Sequence, residues 1–323
     1  MEAILETRAL TVEYPTPTGL LARARGQAPV VLRALDQAEV AVERGRSLGI
    51  VGESGCGKST LARAIVGLVA PTSGSIWLDG RELPAARDPG TRRRVQMVFQ
   101  DPSSALNPAL SISKVLMELL AVHGIASGDR AHARCEELMR AVELPPSVLS
   151  AYPRSLSGGQ RQRIGIARAL ALEPDVLIAD EAVASLDVSL QAAIINVLLG
   201  LQAQLGLTLI IISHDLAIVR QACDQVAVMY LGRVVERGRT EEVFEDPRHP
   251  YTQALIRAIP RLAARERRPS LGGEPPSPLD LPSGCRFHTR CVRAEPSVCA
   301  TTEPQLSGPQ GPAGHEAACH FAW

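Results

Sequence analysis

Lysine is scarce in this chain of 323 residues. Lys58 and Lys114 are the only two, so arginine carries nearly all of the positive charge. Net charge is absent as well, because 34 Lys and Arg residues balance 34 Asp and Glu residues. The bulk charge therefore gives no reason to expect nucleic acid or an anionic membrane surface as a partner.

Two kinds of apolar segment are also missing. Residues 1–6 show no basic start followed by an apolar run, so we expect no secretory signal and a cytoplasmic protein. The longest apolar region, residues 192–212, is interrupted by Asn196, Gln202 and Gln204. It falls short of the ~20 apolar residues that a spanning helix needs. We expect that the chain does not itself cross a bilayer.

A glycine-rich stretch predicts a nucleotide site. It fits the pattern G-x-x-x-x-G-K-S and lies between a predicted strand at 47–51 and a predicted helix at 58–67. Backbone N–H groups in such a turn, and the helix N-terminus, bind phosphate. A chance glycine turn is the alternative, and the strand–loop–helix context disfavours it. The stretch reads Gly52, Glu53, Ser54, Gly55, Cys56, Gly57, Lys58, Ser59 and Thr60.

Each polar residue at the end of this stretch has an expected role. We expect Lys58 to reach the β- and γ-phosphates, which a compact ammonium ion suits. The Ser59 hydroxyl suits Mg²⁺, and Thr60 can bond an adjacent phosphate.

Polar residues also follow two predicted buried strands, at 176–179 and 208–212. Asp180 and Glu181 follow the first, where we expect Asp180 to hold the magnesium shell and Glu181 to act as general base. Simple capping of the strand is the alternative. His214 follows the second strand and is predicted to sense the γ-phosphate, with a structural histidine as the alternative.

The wider pattern predicts an α/β fold. Residues 4–14 alternate as an edge strand, followed by a loop or insertion, and a strand pattern resumes at 39–42. The sequence predicts strands at residues 75–78 and 94–99 and a helix at 188–204. It predicts helical structure from residue 112 to about 142, with breaks at Gly124 and Gly128. The alternation of strands and helices indicates a parallel sheet. Nine prolines between Pro269 and Pro312 predict an irregular appendage.

One pentapeptide is more specific than the phosphate loop: Leu156, Ser157, Gly158, Gly159 and Gln160. With the elements above, it resembles the signature of the ATPase subunits of ABC transporters. The resemblance implies a P-loop NTPase cassette over residues 1–245, with a RecA-like core, an antiparallel β subdomain and an inserted helical subdomain at about 101–160. It also implies a head-to-tail dimer, in which the signature of one subunit closes over ATP held by another.

The resemblance assigns further residues. Gln100 corresponds to the glutamine that links Mg²⁺ to the helical subdomain, and Asp187 ends the loop 185–187 that crosses the dimer. Tyr14 is expected to stack on adenine, with simple packing as the alternative. The family usually has proline after the carboxylate pair, whereas this chain has Ala182, which relaxes the backbone of Glu181 and bears on the rate.

The seven cysteines fall into two groups. Cys56, Cys135 and Cys223 are scattered, whereas four are crowded near the C-terminus, with His288, His315 and His320 nearby. Four thiolates can hold zinc or an iron–sulfur cluster, and unligated thiols are a third possibility. The crowded four are Cys285, Cys291, Cys299 and Cys319.

Residues 246–323 resemble the C-terminal extension of ATPases that serve oligopeptide and dipeptide importers. The resemblance rests on residues 284–288, 290–291, 100–102, 105–108 and 249–252, and it implies a [4Fe–4S] cluster on the four cysteines. It further implies a second ATPase subunit, identical or different, two membrane permeases, and indirectly a solute-binding protein. The chain would lie at the cytoplasmic face of the membrane as the motor.

Several alternatives stay open. Importers for nickel or glutathione resemble this one, and soluble ABC ATPases that work on DNA or ribosomes carry the same nucleotide motifs. Tandem cassettes or a long coiled-coil insertion, usual in the soluble proteins, are not seen here. A subunit that binds ATP without hydrolysing it is disfavoured because Glu181, His214 and the signature are intact.

Overall fold

The computed structural model describes residues 3–16, 31–101, 106–182, 187–259, 272–308 and 314–322. The strands are β1 (Ala3–Pro15), β2 (Val31–Ala38), β3 (Ala41–Glu43), β4 (Ser47–Val51), β5 (Ser73–Leu78), β6 (Arg81–Glu82), β7 (Val95–Val98), β8 (Val176–Asp180), β9 (Thr208–Ser213), β10 (Gln225–Tyr230), β11 (Arg233–Arg239) and β12 (Glu316–Ala317). The helices are α1 (Lys58–Val66), α2 (Pro89–Arg94), α3 (Ile112–Val122), α4 (Gly128–Ala141), α5 (Gly158–Leu170), α6 (Val188–Leu205), α7 (Leu216–Ala222), α8 (Thr240–Glu245), α9 (Pro250–Ala258) and α10 (Pro296–Cys299).

The chain divides into two compact units. The first unit comprises Met1–Val42, Leu48–Ala85 and Ser213–Trp323, and the second comprises Glu43–Ser47 and Ala86–Ile212.

The first unit contains an antiparallel sheet in the order β2-β1-β5-β6. The prediction that residues 4–14 form an edge strand is wrong in one respect, because β1 pairs with β2 on one side and with β5 on the other. Ile4, Leu5, Leu10 and Val12 are buried, as the residues of an internal strand can be. The same unit holds the order β12-β11-β10-β4, in which β10 is parallel to β4 and antiparallel to β11.

The second unit contains three parallel strands in the order β9-β8-β7. Every residue of β8 is buried, as is every residue of β9. Strands buried on both faces have continuous apolar sequences rather than alternating ones. The predicted parallel arrangement of these strands is thereby confirmed, and α3 and α4 fall within the region predicted to be helical, on either side of Gly124.

One helix in the described part of the chain is long and apolar enough, by length and composition, to cross a membrane. It is α6, in which Ile194, Ile195, Val197, Leu198 and Leu201 are buried in the protein. Core helices of water-soluble proteins pass the same test, so the helix is weak grounds for a membrane span. The expectation that the chain does not cross a bilayer stays a prediction.

The C-terminal extension, residues 246–323, is irregular where its prolines are concentrated, as predicted: residues 272–308 form a 3₁₀ turn at His288–Arg290, the short helix α10 and otherwise mostly loops. It begins with α9, whose first turn is capped by Nδ1 of His249 accepting from the backbone N–H of Tyr251. Near its end, β12 pairs with β11 through Ala317 and Glu236. Regular structure in the extension therefore lies on either side of its proline-rich segment.

Aromatic contacts and ion pairs hold the extension within the first unit. The ring centroid of Tyr230 lies 4.7 Å from that of Tyr251 and 5.3 Å from that of Phe287. Arg286 forms an ion pair with Asp36, and both side chains are nearly fully buried. Burial opposes the charged form of Asp36, but the positive charges of Arg286 and Arg233 outweigh it and lower its pKa.

Candidate nucleotide-binding and hydrolysis site

The phosphate loop connects β4 to α1 in the first unit. Helix α1 begins at Lys58, directly after Gly57, and the backbone N–H of Leu61 donates to the Gly57 carbonyl at 2.9 Å. The Lys58 ammonium group donates to the carbonyl oxygens of Gly52 at 2.8 Å and Glu53 at 3.0 Å. The strand–loop–helix arrangement expected around the motif is confirmed, and the buried lysine is held inside the turn that it serves.

Two glycines of the loop, Gly52 and Gly57, are required by close backbone contacts. Gly57 has φ of 107°, in the left-handed region, and a Cβ added there would collide with the carbonyl oxygen of Ala34. A Cβ on Gly52 would collide with the carbonyl oxygen of Met229. Because both obstacles are backbone atoms, no side-chain movement could relieve them.

The remaining loop residues differ in exposure. Ser54 and Gly55 are exposed, whereas Ser59 and Thr60 are half-buried in the first turn of α1. Cys56 is buried, and its burial raises the pKa of the thiol. Its side chain therefore packs within the loop as a neutral group.

The carboxylate pair lies at the end of β8 in the second unit. Asp180 is 4% exposed and is the last residue of the strand, and Glu181 follows it with φ of 46°. The backbone N–H of Glu181 donates to the Ile212 carbonyl at 3.0 Å. Proline after Glu181 would disfavour its helical backbone conformations, a restriction that Ala182 removes.

Gln100 contacts the predicted general base directly. Its Nε2 donates to Oε2 of Glu181 at 3.0 Å. The family resemblance assigns Gln100 to magnesium, and the hydrogen bond to Glu181 is an addition that no local pattern indicates, because the two residues are 81 positions apart.

The signature forms the start of a capped helix. Ser157 is the N-cap of α5, and its hydroxyl accepts from the backbone N–H of Gln160 at 3.3 Å. In return, Oε1 of Gln160 accepts from the backbone N–H of Ser157 at 2.9 Å, which completes a capping box. A Cβ on Gly159 would lie 2.6 Å from Cδ2 of Leu190, so the helix start also packs closely against α6. Gly158 is half-buried beside it.

Asp187 is the N-cap of α6. Its carboxylate accepts from the Ser189 hydroxyl at 2.6 Å and from the backbone N–H of Leu190 at 3.0 Å, and these bonds lower its pKa. Residues 185 and 186 of the predicted dimer-crossing loop lie outside the described residues, as do 102–105.

Two further predicted residues lie in the first unit. His214 is exposed in the turn after β9. Tyr14 is 38% exposed near the end of β1, and its expected stacking on adenine stays a prediction. The insertion predicted after Tyr14 falls largely on residues 17–30, which lie outside the described residues.

Two residues of the extension that were not assigned to the nucleotide site hold the phosphate loop. The guanidinium of Arg290 pairs with both carboxylate oxygens of Glu53, and the Tyr251 hydroxyl accepts from the Glu53 backbone N–H. Both residues stand in segments that carry the family resemblance, but nothing in the sequence links either of them to Glu53.

The four crowded cysteines line one small cavity of about 10 Å³, together with His288 and His320. Burial raises the pKa of Cys285 to about 11 and raises the pKa of Cys291 and Cys319. Cysteine thiolates are the donor type of zinc and iron–sulfur sites. However, no group of three or more His, Cys, Asp or Glu residues is arranged to hold a metal ion anywhere in the described ranges. The cysteines thus converge without forming a closed metal site.

The parallel strands, the phosphate loop, the carboxylate pair and the capped signature helix define an ATPase of the ABC class. Residues 35–184 match the ABC transporter family, and residues 235–299 match the C-terminal region of oligopeptide/dipeptide transporters. The chain therefore belongs to the family of ABC transporter ATP-binding subunits of the oligopeptide/dipeptide importer type.

Relatives match along nearly the whole chain. It is 45% identical over 98% of its length to a Brucella ovis protein provisionally named a peptide import ATP-binding protein, of which 97% is covered. It is 42% identical over 99% of its length to the oligopeptide transport ATP-binding protein AppF of Bacillus subtilis, of which 98% is covered.

Solved structures share the fold. CbiO1 of Clostridium perfringens, part of the ABC transporter complex cbiONQ, matches 76% of this chain and 92% of its own with 31% identity and a TM-score of 0.64. The ATP-binding cassette MJ0796, solved as a dimer with ADP and Pi, matches 73% of this chain and 98% of its own with 27% identity and a TM-score of 0.63. The ABC cassette fold and ATP hydrolysis are thus established for this chain.

Proposed function

We propose that this chain hydrolyses ATP to power the import of di- or oligopeptides through a membrane ABC transporter. One observation carries the proposal: the cassette and the oligopeptide/dipeptide-type C-terminal region occur in one chain, which is similar over 99% of its length to an oligopeptide transport ATP-binding protein. A soluble ABC ATPase shares the first match but has no reason to carry the second.

The phosphate loop is proposed to bind the nucleotide phosphates. Lys58 would turn from the loop carbonyls to the β- and γ-phosphates, and Thr60 would bond an adjacent phosphate. Loop N–H groups, from residues 54 to 58, and the N-terminus of α1 add partial positive charge. Tyr14 would stack on adenine through its exposed face.

Oxygen donors are available for the expected Mg²⁺. The Ser59 hydroxyl, the Asp180 carboxylate and the Gln100 side-chain oxygen are hard ligands of the type that this cation takes. When bound, the ion would neutralise charge on the β- and γ-phosphates. Asp180 fits this role because it is a nearly buried carboxylate at the carboxyl end of a parallel strand.

The chemical step is hydrolysis of ATP by water. Glu181 accepts a proton from the attacking water, whose oxygen bonds to the γ-phosphorus as the bond to the β-phosphate oxygen breaks. ADP and phosphate are the products. His214 is proposed to contact the γ-phosphate from the turn after β9, and the hydrogen bond from Gln100 orients Glu181.

The site is proposed to be completed by a second ABC ATPase subunit, identical or different, in a head-to-tail dimer. The N-terminus of α5 would meet the γ-phosphate of the other subunit through Ser157, Gly158 and Gly159, and Asp187 would lie at the same interface. The similar cassette MJ0796 is a dimer bound to ADP and Pi, which supports this proposal. A helix N-terminus suits this contact, because its N–H groups and partial positive charge attract anions.

The remaining assignments concern the assembly. We propose an ATPase domain at 1–245 and an extension at 246–323, with the helical region at about 101–160 transmitting closure to two permease subunits. The chain would lie peripherally on the cytoplasmic face of the membrane, and a solute-binding protein would deliver the peptide.

The four cysteines of the extension are proposed to hold a [4Fe–4S] cluster, with zinc as the alternative. Their convergence on one cavity supports the proposal, although the sulfur atoms would have to rearrange to form a closed site. The test is the visible spectrum and metal content of anaerobically purified protein. About four irons per chain with a brown colour supports the cluster, one zinc without colour supports the alternative, and neither metal refutes both.

The peptide assignment is tested by reconstitution. The chain would be assembled with its permeases, partner ATPase and binding protein in proteoliposomes, and ATP-dependent uptake of labelled di- and oligopeptides measured. We expect uptake that stops with Glu181→Gln. Uptake of nickel or glutathione instead of peptides would refute the peptide cargo but not the ATPase activity. An ATP hydrolysis rate that does not depend on the permeases would favour a soluble ABC ATPase.

A further inference from the structure

The side chain of Arg290 is almost fully buried and grips the phosphate loop. The side chain is 4% exposed. Its Nη1 donates to Oε2 of Glu53 at 2.8 Å, and its Nη2 donates to Oε1 of Glu53 at 3.0 Å. Its Nε donates to the Gly272 carbonyl at 3.1 Å, so a third hydrogen bond also holds the guanidinium group in place. A planar guanidinium paired with both oxygens of a carboxylate defines position and orientation together.

The backbone of the same loop residue is held by a second residue of the extension. The Tyr251 hydroxyl accepts from the Glu53 N–H at 2.8 Å, and the Tyr251 side chain is fully buried. Its ring packs against Tyr230 and Phe287, with centroids 4.7 and 5.4 Å away. Side chain and main chain of Glu53 are thus both fixed from the extension.

Glu53 is also the residue that receives the phosphate-binding lysine. Its carbonyl accepts from Lys58 at 3.0 Å and from the backbone N–H of Cys56 at 3.3 Å. A shift of Glu53 would therefore move the turn in which the Lys58 ammonium group and the loop N–H groups are set. Glu53 thus joins the extension to the turn that sets Lys58.

Arg290 is placed by a tight turn between two of the crowded cysteines. The 3₁₀ turn His288–Arg290 follows Cys285, whose carbonyl accepts from the His288 N–H at 3.0 Å. The Arg290 N–H donates to the Phe287 carbonyl at 3.0 Å, and Cys291 comes next in the chain. The fold of this turn therefore decides where the guanidinium lies.

We infer that Arg290 is a positioning residue for the phosphate loop, and that nucleotide affinity depends on the folded extension through the Arg290–Glu53 pair. The inference rests on nucleotide binding at the phosphate loop and is independent of which solute is transported. Arg290 does not itself touch the nucleotide. Arg290 holds the phosphate loop in its binding conformation before the nucleotide arrives, so nucleotide binding does not have to order the loop.

The experiment is a double-mutant cycle on nucleotide affinity. The dissociation constant of a fluorescent ATP analogue would be measured for the full chain and for Arg290→Gln, Glu53→Gln and the double variant. We expect each single change to weaken binding about tenfold and the double change to weaken it no more than one of them. Arg290→Lys should recover part of the loss, since an ammonium group keeps the charge but not the paired geometry.

Arg237→Gln is the matched control. Arg237 forms an ion pair with Glu316 of the extension and does not contact the loop, so its loss should leave affinity within about twofold of the parent. Thermal unfolding of both arginine variants separates lost stability from lost loop position. Binding by Arg290→Gln at parental affinity, or a double variant that shows the product of both losses, would overturn the inference. Failure of the parent to bind the analogue would instead count against the nucleotide site itself.

Discussion

Gln100 donates a hydrogen bond of 3.0 Å from its side-chain amide to Oε2 of Glu181. Glu181 holds a left-handed backbone conformation with φ of 46°, which is uncommon for a residue with a side chain. The amide therefore fixes the direction of a carboxylate whose backbone is already unusual. Residues in such conformations concentrate at functional sites, which agrees with the proposed role of Glu181 as general base.

Glu181→Gln should remove the proton acceptor while preserving size. Loss of a general base lowers a rate by roughly 10²–10⁴-fold, so we expect at least a hundredfold loss of phosphate release in the assembled transporter. Nucleotide affinity should stay within about threefold of the parent, because the phosphate loop is unchanged. Steady-state phosphate release and a binding titration check both halves. A variant that hydrolyses ATP as fast as the parent would show that another residue is the base.

Gln100→Ala should release the Glu181 carboxylate from its hydrogen bond. We expect ATP hydrolysis to fall about tenfold, as a misplaced catalytic group costs rate without costing much binding. Gln96→Ala is the control, because Gln96 lies on β7 and its amide instead bonds the Arg92 carbonyl. Phosphate release would be measured for both. Equal rates for the two variants would remove Gln100 from the proposed machinery.

Gly57→Ala and Gly55→Ala should differ sharply, although both glycines have positive φ. At Gly55, with φ of 79°, a Cβ would meet nothing within 4 Å, so the cost is backbone strain alone, about 1 kcal/mol. At Gly57 the Cβ would also collide with the Ala34 carbonyl, which deforms the loop. We expect Gly57→Ala to lose nucleotide binding by more than a hundredfold and Gly55→Ala by far less. Titration and thermal melts of the two proteins provide the measurement, and similar losses would contradict it.

His249 should make stability depend on pH. Burial lowers its pKa from the ordinary 6.5 to about 4, with the Glu236 carboxylate opposing the effect. Between pH 6.5 and pH 4 the His249 side chain binds a proton more readily in the unfolded chain than in the folded protein. The free energy of unfolding is therefore unaffected by His249 above pH 6.5 and falls as the pH drops toward 4. The loss amounts to about 3 kcal/mol.

The measurement is urea unfolding followed by tryptophan fluorescence, since Trp77 lies in the same unit as His249. His249→Asn retains an N-cap side chain for α9 but cannot titrate, so its unfolding free energy should vary less between pH 7 and pH 4.5. His132→Asn changes an exposed histidine and should follow the parent. Identical pH profiles for the parent and His249→Asn would contradict the prediction.

Much of the fold could be predicted because its signals are local. Strand β4 has its predicted bounds, and α1, β8 and α6 begin where expected, since buried runs and caps act within a few residues. The sequence analysis did not predict the hairpin of β10 and β11. The signal for it is the apolar sequence of β10, which ends at a turn that contains Gly232. β1 is an internal strand because it also pairs with β5, whose first residue lies 70 positions after the first residue of β1. A local pattern in β1 could not show this pairing.

The sequence by itself determined the class of this protein, because the phosphate loop, the carboxylate pair and the signature are each complete within a few residues. Tertiary structure alone decided which residues support them. Gln100 meets Glu181 across 81 positions, and Arg290 meets Glu53 across 237. Side chains so far apart in the chain become neighbours only when strands and turns have packed, and no local pattern encodes that distance.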